Sequence, residues 1–207
     1  MTSTAETYAL LRNLTSPVVA LTSASQGHLN GMILNSTIRA SLIPEVPRVA
    51  VFIMKRNLSH DLVFESGAFA LHLLHTENWD LIWEFGFHSG REHDKLTKFK
   101  YRIGGSGSPL IEDAYARFDC RVINAMDTGP STCFLGGVLS VERGVGDSLM
   151  TSEYFRDHMP AIGSPSTRPI WPRPKNGPPG SPTRYAHSCG GKWRTAADWV
   201  DCRPTVE

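Results

Sequence analysis

Six short runs rich in β-branched and aromatic residues, bounded by turn-forming residues, dominate the first 159 positions of the chain. They are Pro17–Thr22, Leu29–Ile38, Arg48–Met54, Phe69–Leu74, Ala116–Asn124 and Thr132–Val141. Runs this short, with Gly, Pro, Asn and Ser between them, are the pattern of antiparallel strands. Two segments read as helices. His60–Ser66 makes about two turns, stopped by Gly67 where a left-handed residue ends a helix. Thr76 reads as an N-cap before Glu77–Phe85, with Trp79, Ile82 and Trp83 on one face and Gly86 as the stop. Gly104–Pro109 reads as a turn. No strand–helix alternation supports a doubly wound parallel sheet, so a mainly β fold with a few α helices, an antiparallel barrel, is expected.

Composition changes near residue 160. Five prolines precede it, whereas eight fall between Pro160 and Pro182, mixed with Gly, Ser and Arg. Proline removes a backbone donor and blocks helix and central strand, so residues 160–207 read as a Pro/Gly-rich tail, extended or poorly ordered, behind a domain of residues 1–159. A short helix over Thr195–Val200 is compatible with the tail's sequence.

Net charge is +1, with 21 Lys and Arg against 20 Asp and Glu. No global field would recruit nucleic acid or an anionic membrane, so neither is expected as a partner. The longest aliphatic runs, such as Val49–Met54, are strand-sized, far below the ~20 residues a spanning helix needs. The first ten residues lack both the basic and the apolar parts of a secretory leader, and the expected compartment is the cytosol. Cys120, Cys133, Cys189 and Cys202 form no C-x-x-C pair. No metal is expected from them, and Cys120 and Cys133 read as core residues.

No phosphate-binding glycine loop, dinucleotide fingerprint or nucleophile elbow is present. Two segments do carry chemistry. In Asn30-Gly-Met-Ile-Leu-Asn-Ser-Thr-Ile-Arg-Ala-Ser-Leu-Ile-Pro44, a small polar cluster (Asn35, Ser36, Thr37) interrupts a strand, with Ser41 beyond it. In Lys55-Arg-Asn-Leu-Ser-His-Asp61, an apolar strand ends in two cations and several hydrogen-bonding side chains just before a helix. Such a turn suits a phosphate ester: Lys55 and Arg56 neutralise it, Asn57 and Ser59 donate to it, and first-turn amides face it. The same residues also describe a solvated turn with Ser59 as N-cap.

Taken together and in register, these segments resemble the flavin-reductase-like, FMN-binding split-barrel family. The matching stretches are Asn30-Gly-Met-Ile-Leu-Asn-Ser36, Ser41-Leu-Ile-Pro44, Lys55-Arg-Asn-Leu-Ser-His-Asp-Leu62 and Ser66-Gly-Ala-Phe69. Gly104–Pro109 and Phe118-Asp-Cys-Arg121 follow. The resemblance spans roughly residues 8 to 158. It implies a split β-barrel holding FMN, with FAD as the alternative, and NAD(P)H as co-substrate. Backbone at Met32, Ile33 and Leu34 and the side chains of Asn35 and Ser36 would face the isoalloxazine edge. Ser41, Lys55, Asn57 and Ser59 would hold the ribityl phosphate, with Arg39 and Arg56 as further cations and His60 within reach. Arg91 and Lys95 fall where the family places a loop over the flavin. The family's flavin lies between two subunits, which implies a homodimer, and a flavin-dependent monooxygenase is the implied partner.

Two departures matter. The family's G-D-H-x-x-F segment is replaced by Asp127-Thr-Gly-Pro-Ser-Thr-Cys-Phe134, without the histidine linked to the nicotinamide side, and the aromatic C-terminal stretch is replaced by Leu149–Arg156 and the tail. The expected activity is a NAD(P)H:flavin oxidoreductase passing a hydride to flavin N5. That chemistry belongs to the cofactor, so no side-chain acid or base is assigned and the catalytic residues stay unnamed. His72, inside an apolar strand, is expected to be a satisfied barrel residue. A flavin- or haem-binding protein without turnover is the alternative, and a scaffold without cofactor is a third reading.

Overall fold

The computed structural model describes residues 16–159, so the expectations for residues 160–207 lie outside the described residues. Nine strands and three α-helices follow one another: β1 Val19–Ser25, β2 His28–Leu34, β3 Thr37–Arg39, β4 Arg48–Met54, α1 Leu58–Ser66, β5 Ala68–Leu73, α2 Trp79–Phe87, β6 Tyr101–Ile103, β7 Pro109–Ile111, β8 Ala116–Asp127, β9 Ser131–Arg143 and α3 Ser152–His158. A single 3₁₀ turn at Leu96–Lys98 precedes β6.

Seven strands form one antiparallel sheet in the order β2-β1-β5-β8-β9-β4-β3, and β6 pairs with β7 apart from it. The sheet's two edge strands, β2 and β3, are neighbours in sequence, joined only by Asn35 and Ser36. Three peptide steps span at most about 11 Å. The edges must therefore meet, and the sheet curls into a split barrel. The expected strand Leu29–Ile38 is in fact these two strands, because the polar pair Asn35-Ser36 carries the chain from one edge to the other.

Strand alternation sorts the apolar side chains into two layers. Inside the barrel lie Leu21, Leu34, Val51, Ile53, Phe69, Leu71, Cys120 and Phe134, with Val63 of α1 closing one end. Gly136 is required there: a Cβ would fall 2.6 Å from the Phe69 ring. Outside the β1–β5 surface, Ala20, Leu81, Ile82, Phe85, Leu96, Ile111 and Met150 form a second core under α2, β7 and α3.

The helix boundaries differ from expectation in detail. α1 begins at Leu58, with Asn57 as N-cap, and ends as foreseen at Gly67 in the left-handed region. α2 begins after Asn78, not after Thr76, because the Asn78 side chain accepts the His75 backbone N–H at 2.9 Å and fixes the turn there. It also runs past Gly86 to Phe87. Of the three residues expected on one face, Ile82 is buried whereas Trp83 is 44% exposed. β8 and β9 extend to a tight hairpin, with Gly129 at φ +85°.

His72 on β5 is fully buried between the sheet and the β6–β7 hairpin. Its Nδ1 donates to the Ala20 carbonyl at 3.3 Å, which leaves Nε2 to accept the Ile111 N–H at 3.0 Å. Burial pushes its pKa down to about 4. The unfolded chain then takes up this proton near 6.5 and the folded chain only near 4. Stability should be unaffected above pH 6.5 and lost as pH falls from 6.5 to 4, by about 3 kcal/mol. Urea unfolding of the wild type and His72→Gln, which keeps one donor and one acceptor, checks this: the variant should lose much less stability across that interval. Equal slopes would refute it.

Candidate functional site

The site expected from sequence falls where the barrel splits. β2 is an edge strand, so one row of its backbone groups meets no neighbouring strand among the described residues. Asn35 and Ser36, both exposed, follow directly. The Ser36 carbonyl accepts the Phe52 N–H at 3.0 Å, which sets this link beside the last turn of β4, and Lys55 follows three residues on. Met32 and Leu34 turn into the barrel core, while Ile33 packs under α2, so this stretch presents its backbone rather than its side chains to the edge.

At the end of β4, Lys55, Arg56 and Asn57 lead into α1. Arg56 is exposed, and Lys55 Nζ donates to Asp127 Oδ2 on the β8–β9 hairpin at 2.8 Å. The Lys55 side chain is 34% and that of Asp127 72% exposed, so this ion pair is weak and exchangeable. Asn57 caps α1 by position, yet its side chain makes no capping bond. A helix start that no side chain caps, entered through two cations, fits an anionic phosphate. The edge backbone of β2 and the amides near Asn35 and Ser36 likewise fit the heteroatom rim of a flat ring. The residues present therefore suit a phosphorylated flavin.

Other expected residues serve the framework. Ser59 is completely buried and accepts a hydrogen bond from Asn30 Nδ2 at 2.9 Å, pinning α1 to β2. The two sequence segments do meet, but through this buried bond. His60 is wedged under the hairpin, its ring 5.4 Å from that of Phe134 and its Nε2 2.9 Å from Thr132 Oγ1. Burial lowers its pKa, against the pull of Asp61, so it is neutral at pH 7. Lys95 is buried and donates to the Gly31 carbonyl at 2.8 Å and to the Phe85 carbonyl at 3.1 Å. Desolvation brings its pKa down to about 8. Gly31 has no room for a side chain, because the Phe85 ring stands 2.3 Å from where a Cβ would be.

Arg39 and Ser41 are set apart from Lys55. Arg39 pairs with Val49 at the other end of β4, six residues from Lys55 and thus about 20 Å away along the strand. Ser41 closes its own turn, accepting the Ile43 N–H at 3.2 Å. Arg39 and Ser41 therefore stand at a distance from Lys55 within the chain. Arg91 donates to Asp61 Oδ2 at 3.0 Å and ties its loop to α1, where a Cβ on Gly90 would fall 2.0 Å from Asn30 Oδ1. Among the described residues no helix is long and apolar enough to cross a membrane.

Three groups escaped the sequence reading. Asp127, the partner of Lys55, lies 72 positions away and only the hairpin brings it near. Thr132 reaches His60 by the same route. Glu84 of α2, His88 just past its end and His93 on the following loop collect in one place; the four-residue spacing of Glu84 and His88 was the available signal.

The curled, edge-split antiparallel barrel is the flavin-reductase-like fold. The flavin reductase like domain matches residues 11–163, and the chain belongs to that family. It is 33% identical over 124 residues to a ferric-chelate reductase (NAD(P)H) of Archaeoglobus fulgidus, covering 59% of this chain and 72% of the relative. It is 32% identical over 138 residues to the FMN reductase (NADH) SmoA of Agrobacterium fabrum, covering 67% and 76%. Among solved structures, the NADH:FAD oxidoreductase SgcE6 of Streptomyces globisporus superimposes with a TM-score of 0.61 at 25% identity, over 69% of this chain and 86% of that one.

Because Ser59 bonds to Asn30 in the core, Ser59→Ala should lower unfolding free energy by about 1–3 kcal/mol, the cost of stranding a buried donor. Denaturant titration measures it, and an unchanged midpoint would contradict the buried bond.

Proposed function

We propose that the chain is a NAD(P)H-dependent flavin reductase that binds FMN, with FAD as the alternative, at the split of the barrel. The observation that carries this reading is the start of α1: Lys55 and Arg56 precede a helix whose first turn no side chain caps. There the cations offset phosphate charge, and the first-turn amides, with the Asn57 side chain, donate hydrogen bonds to it. Met32, Ile33 and Leu34 offer edge backbone, and Asn35 and Ser36 offer side chains, to the ring. Donors fixed there stabilise negative charge at the ring's pyrimidine edge without transferring a proton. A bound flavin would supply the redox chemistry, taking up at N5 the hydride that a nicotinamide gives. The chain's part is to hold, orient and partly desolvate it. Arg91, on a loop fixed to α1 through Asp61, stands beside this end of the fold.

A homodimer belongs to the same proposal. Support comes from exposed apolar side chains on the sheet, Ile38 at 58% and Leu139 at 53%, and from the shallow apolar cleft of ≈ 140 Å³ between Asn124, Ala125, Met126, Cys133 and Leu135. A monooxygenase that takes up the reduced flavin is the partner the family resemblance implies.

Oxidation of NADH or NADPH with added FMN tests the activity. Turnover with either supports it. A yellow protein inert toward both would favour a flavin carrier, in line with the missing histidine between Asp127 and Phe134. Lys55→Ala combined with Arg56→Ala should weaken FMN at least about tenfold and riboflavin little, since each charge-assisted contact is worth ~1.5–3 kcal/mol. Asp127→Asn should tighten FMN by up to about fivefold, the equivalent of an exposed ion pair released. Equal changes for FMN and riboflavin would defeat the phosphate assignment; fluorescence titration reads both.

A further inference from the structure

The C-terminal end of α2 and the loop after it gather groups to which the proposed flavin site gives no part. Glu84 of α2 faces inward, its side chain only 2% exposed, and His88, four residues on, is the extended residue that ends the helix. His93 returns on the following loop. Glu84 Oε1 is 2.6 Å from His93 Nε2, and Oε2 is 3.7 Å from His88 Nδ1. The two imidazoles stand edge to face, their centroids 5.2 Å apart. One ligand atom from each of the three residues lies within 4.8 Å of the others. Lys98 Nζ shares the carboxylate at 2.6 Å from Oε2.

Charge compensation alone explains part of this. A buried carboxylate needs a counter-charge, and Lys98 with His93 supplies one. His88 is left over. Its Nδ1 is buried and has no hydrogen-bond partner among the described residues, although it stands beside the carboxylate. At 3.7 Å the carboxylate is too far to accept a hydrogen bond from this nitrogen, whereas a cation held between the two would engage both.

We propose that Glu84, His88 and His93 form a binding site for a borderline divalent transition-metal ion, zinc by its donor set. Two imidazole nitrogens and one carboxylate oxygen are zinc ligands, with bonds of about 2.0–2.2 Å. Around a tetrahedral ion such bonds put ligand atoms about 3.3–3.6 Å apart. The His88–Glu84 distance, measured to Oε2, is close to that value, and the His93–Glu84 contact, measured to Oε1, is shorter by under about 1 Å, so the carboxylate must turn to present one oxygen to the ion. Lys98 must leave the carboxylate, and its side chain, 67% exposed, can turn into water at small cost. Three protein ligands leave the fourth position to a water. Such an ion would join the end of α2 to the loop bearing Arg91 and Lys95 and so brace that loop.

The test is calorimetric titration of the chelator-treated full chain with Zn²⁺, with Co²⁺ as a spectroscopic probe. One ion per chain, and the visible ligand-field bands of four-coordinate Co²⁺, are expected. His88→Asn combined with His93→Asn alters two partly exposed side chains and should weaken binding at least about 100-fold, since even outer-shell changes cost 10–100-fold. Lys98→Ala removes the competing ammonium and should tighten binding about threefold. Circular dichroism melts confirm that each variant is folded. No stoichiometric uptake would overturn the proposal, as would a double variant that binds like wild type or a Lys98→Ala affinity that fails to rise.

Discussion

The two-residue link between β2 and β3 is the constraint from which the rest of the architecture follows. Because Asn35 and Ser36 must carry the chain from one sheet edge to the other, the seven strands cannot lie open. Curling places Leu34, Val51, Phe69 and Phe134 in one interior and leaves a seam where the β2 backbone has no strand beside it. Proteins ordinarily cover such an edge. Here the Lys95 ammonium takes one carbonyl, Gly31.

The Asn30–Ser59 bond holds α1 beside that seam. The bond is buried, so breaking it strands a donor, and it sits at the first turn, so it fixes the helix start more than the helix end. The division of labour in Lys55–His60 follows. Side chains that point inward, Ser59 and His60, set geometry, while those at the surface, Lys55 and Arg56, remain available for charge. Asp127 modulates the first of these cations from the hairpin.

On the far side of β2, the loop after α2 is locked at three points: Arg91 on Asp61, Lys95 on two carbonyls, and His93 with Lys98 on Glu84. The pair Lys98 and His93 holds the Glu84 carboxyl down at about 2, Lys98 contributing most. A segment whose only regular element is one 3₁₀ turn is thus held by charge as well as by the burial of Leu96 in the second core.

What the residues alone determined is the fold class, most strands, the Gly67 helix stop and the family, because strand alternation, turn chemistry and motif spacing are local properties. Arg48–Met54 could be read to the residue, since an apolar run between Pro47 and Lys55 admits little else. The same sequence could not separate a surface donor from a buried one. Ser59, Lys95 and His60 carry ligand-like chemistry in any one-dimensional reading. Only the packing of α1 against β2, and of the loop against Gly31, turns them into braces. Nor could it show that Arg39 and Lys55 stand at opposite ends of β4, or that Asp127 meets Lys55. Those depend on register and curvature, which exist only once distant segments pair.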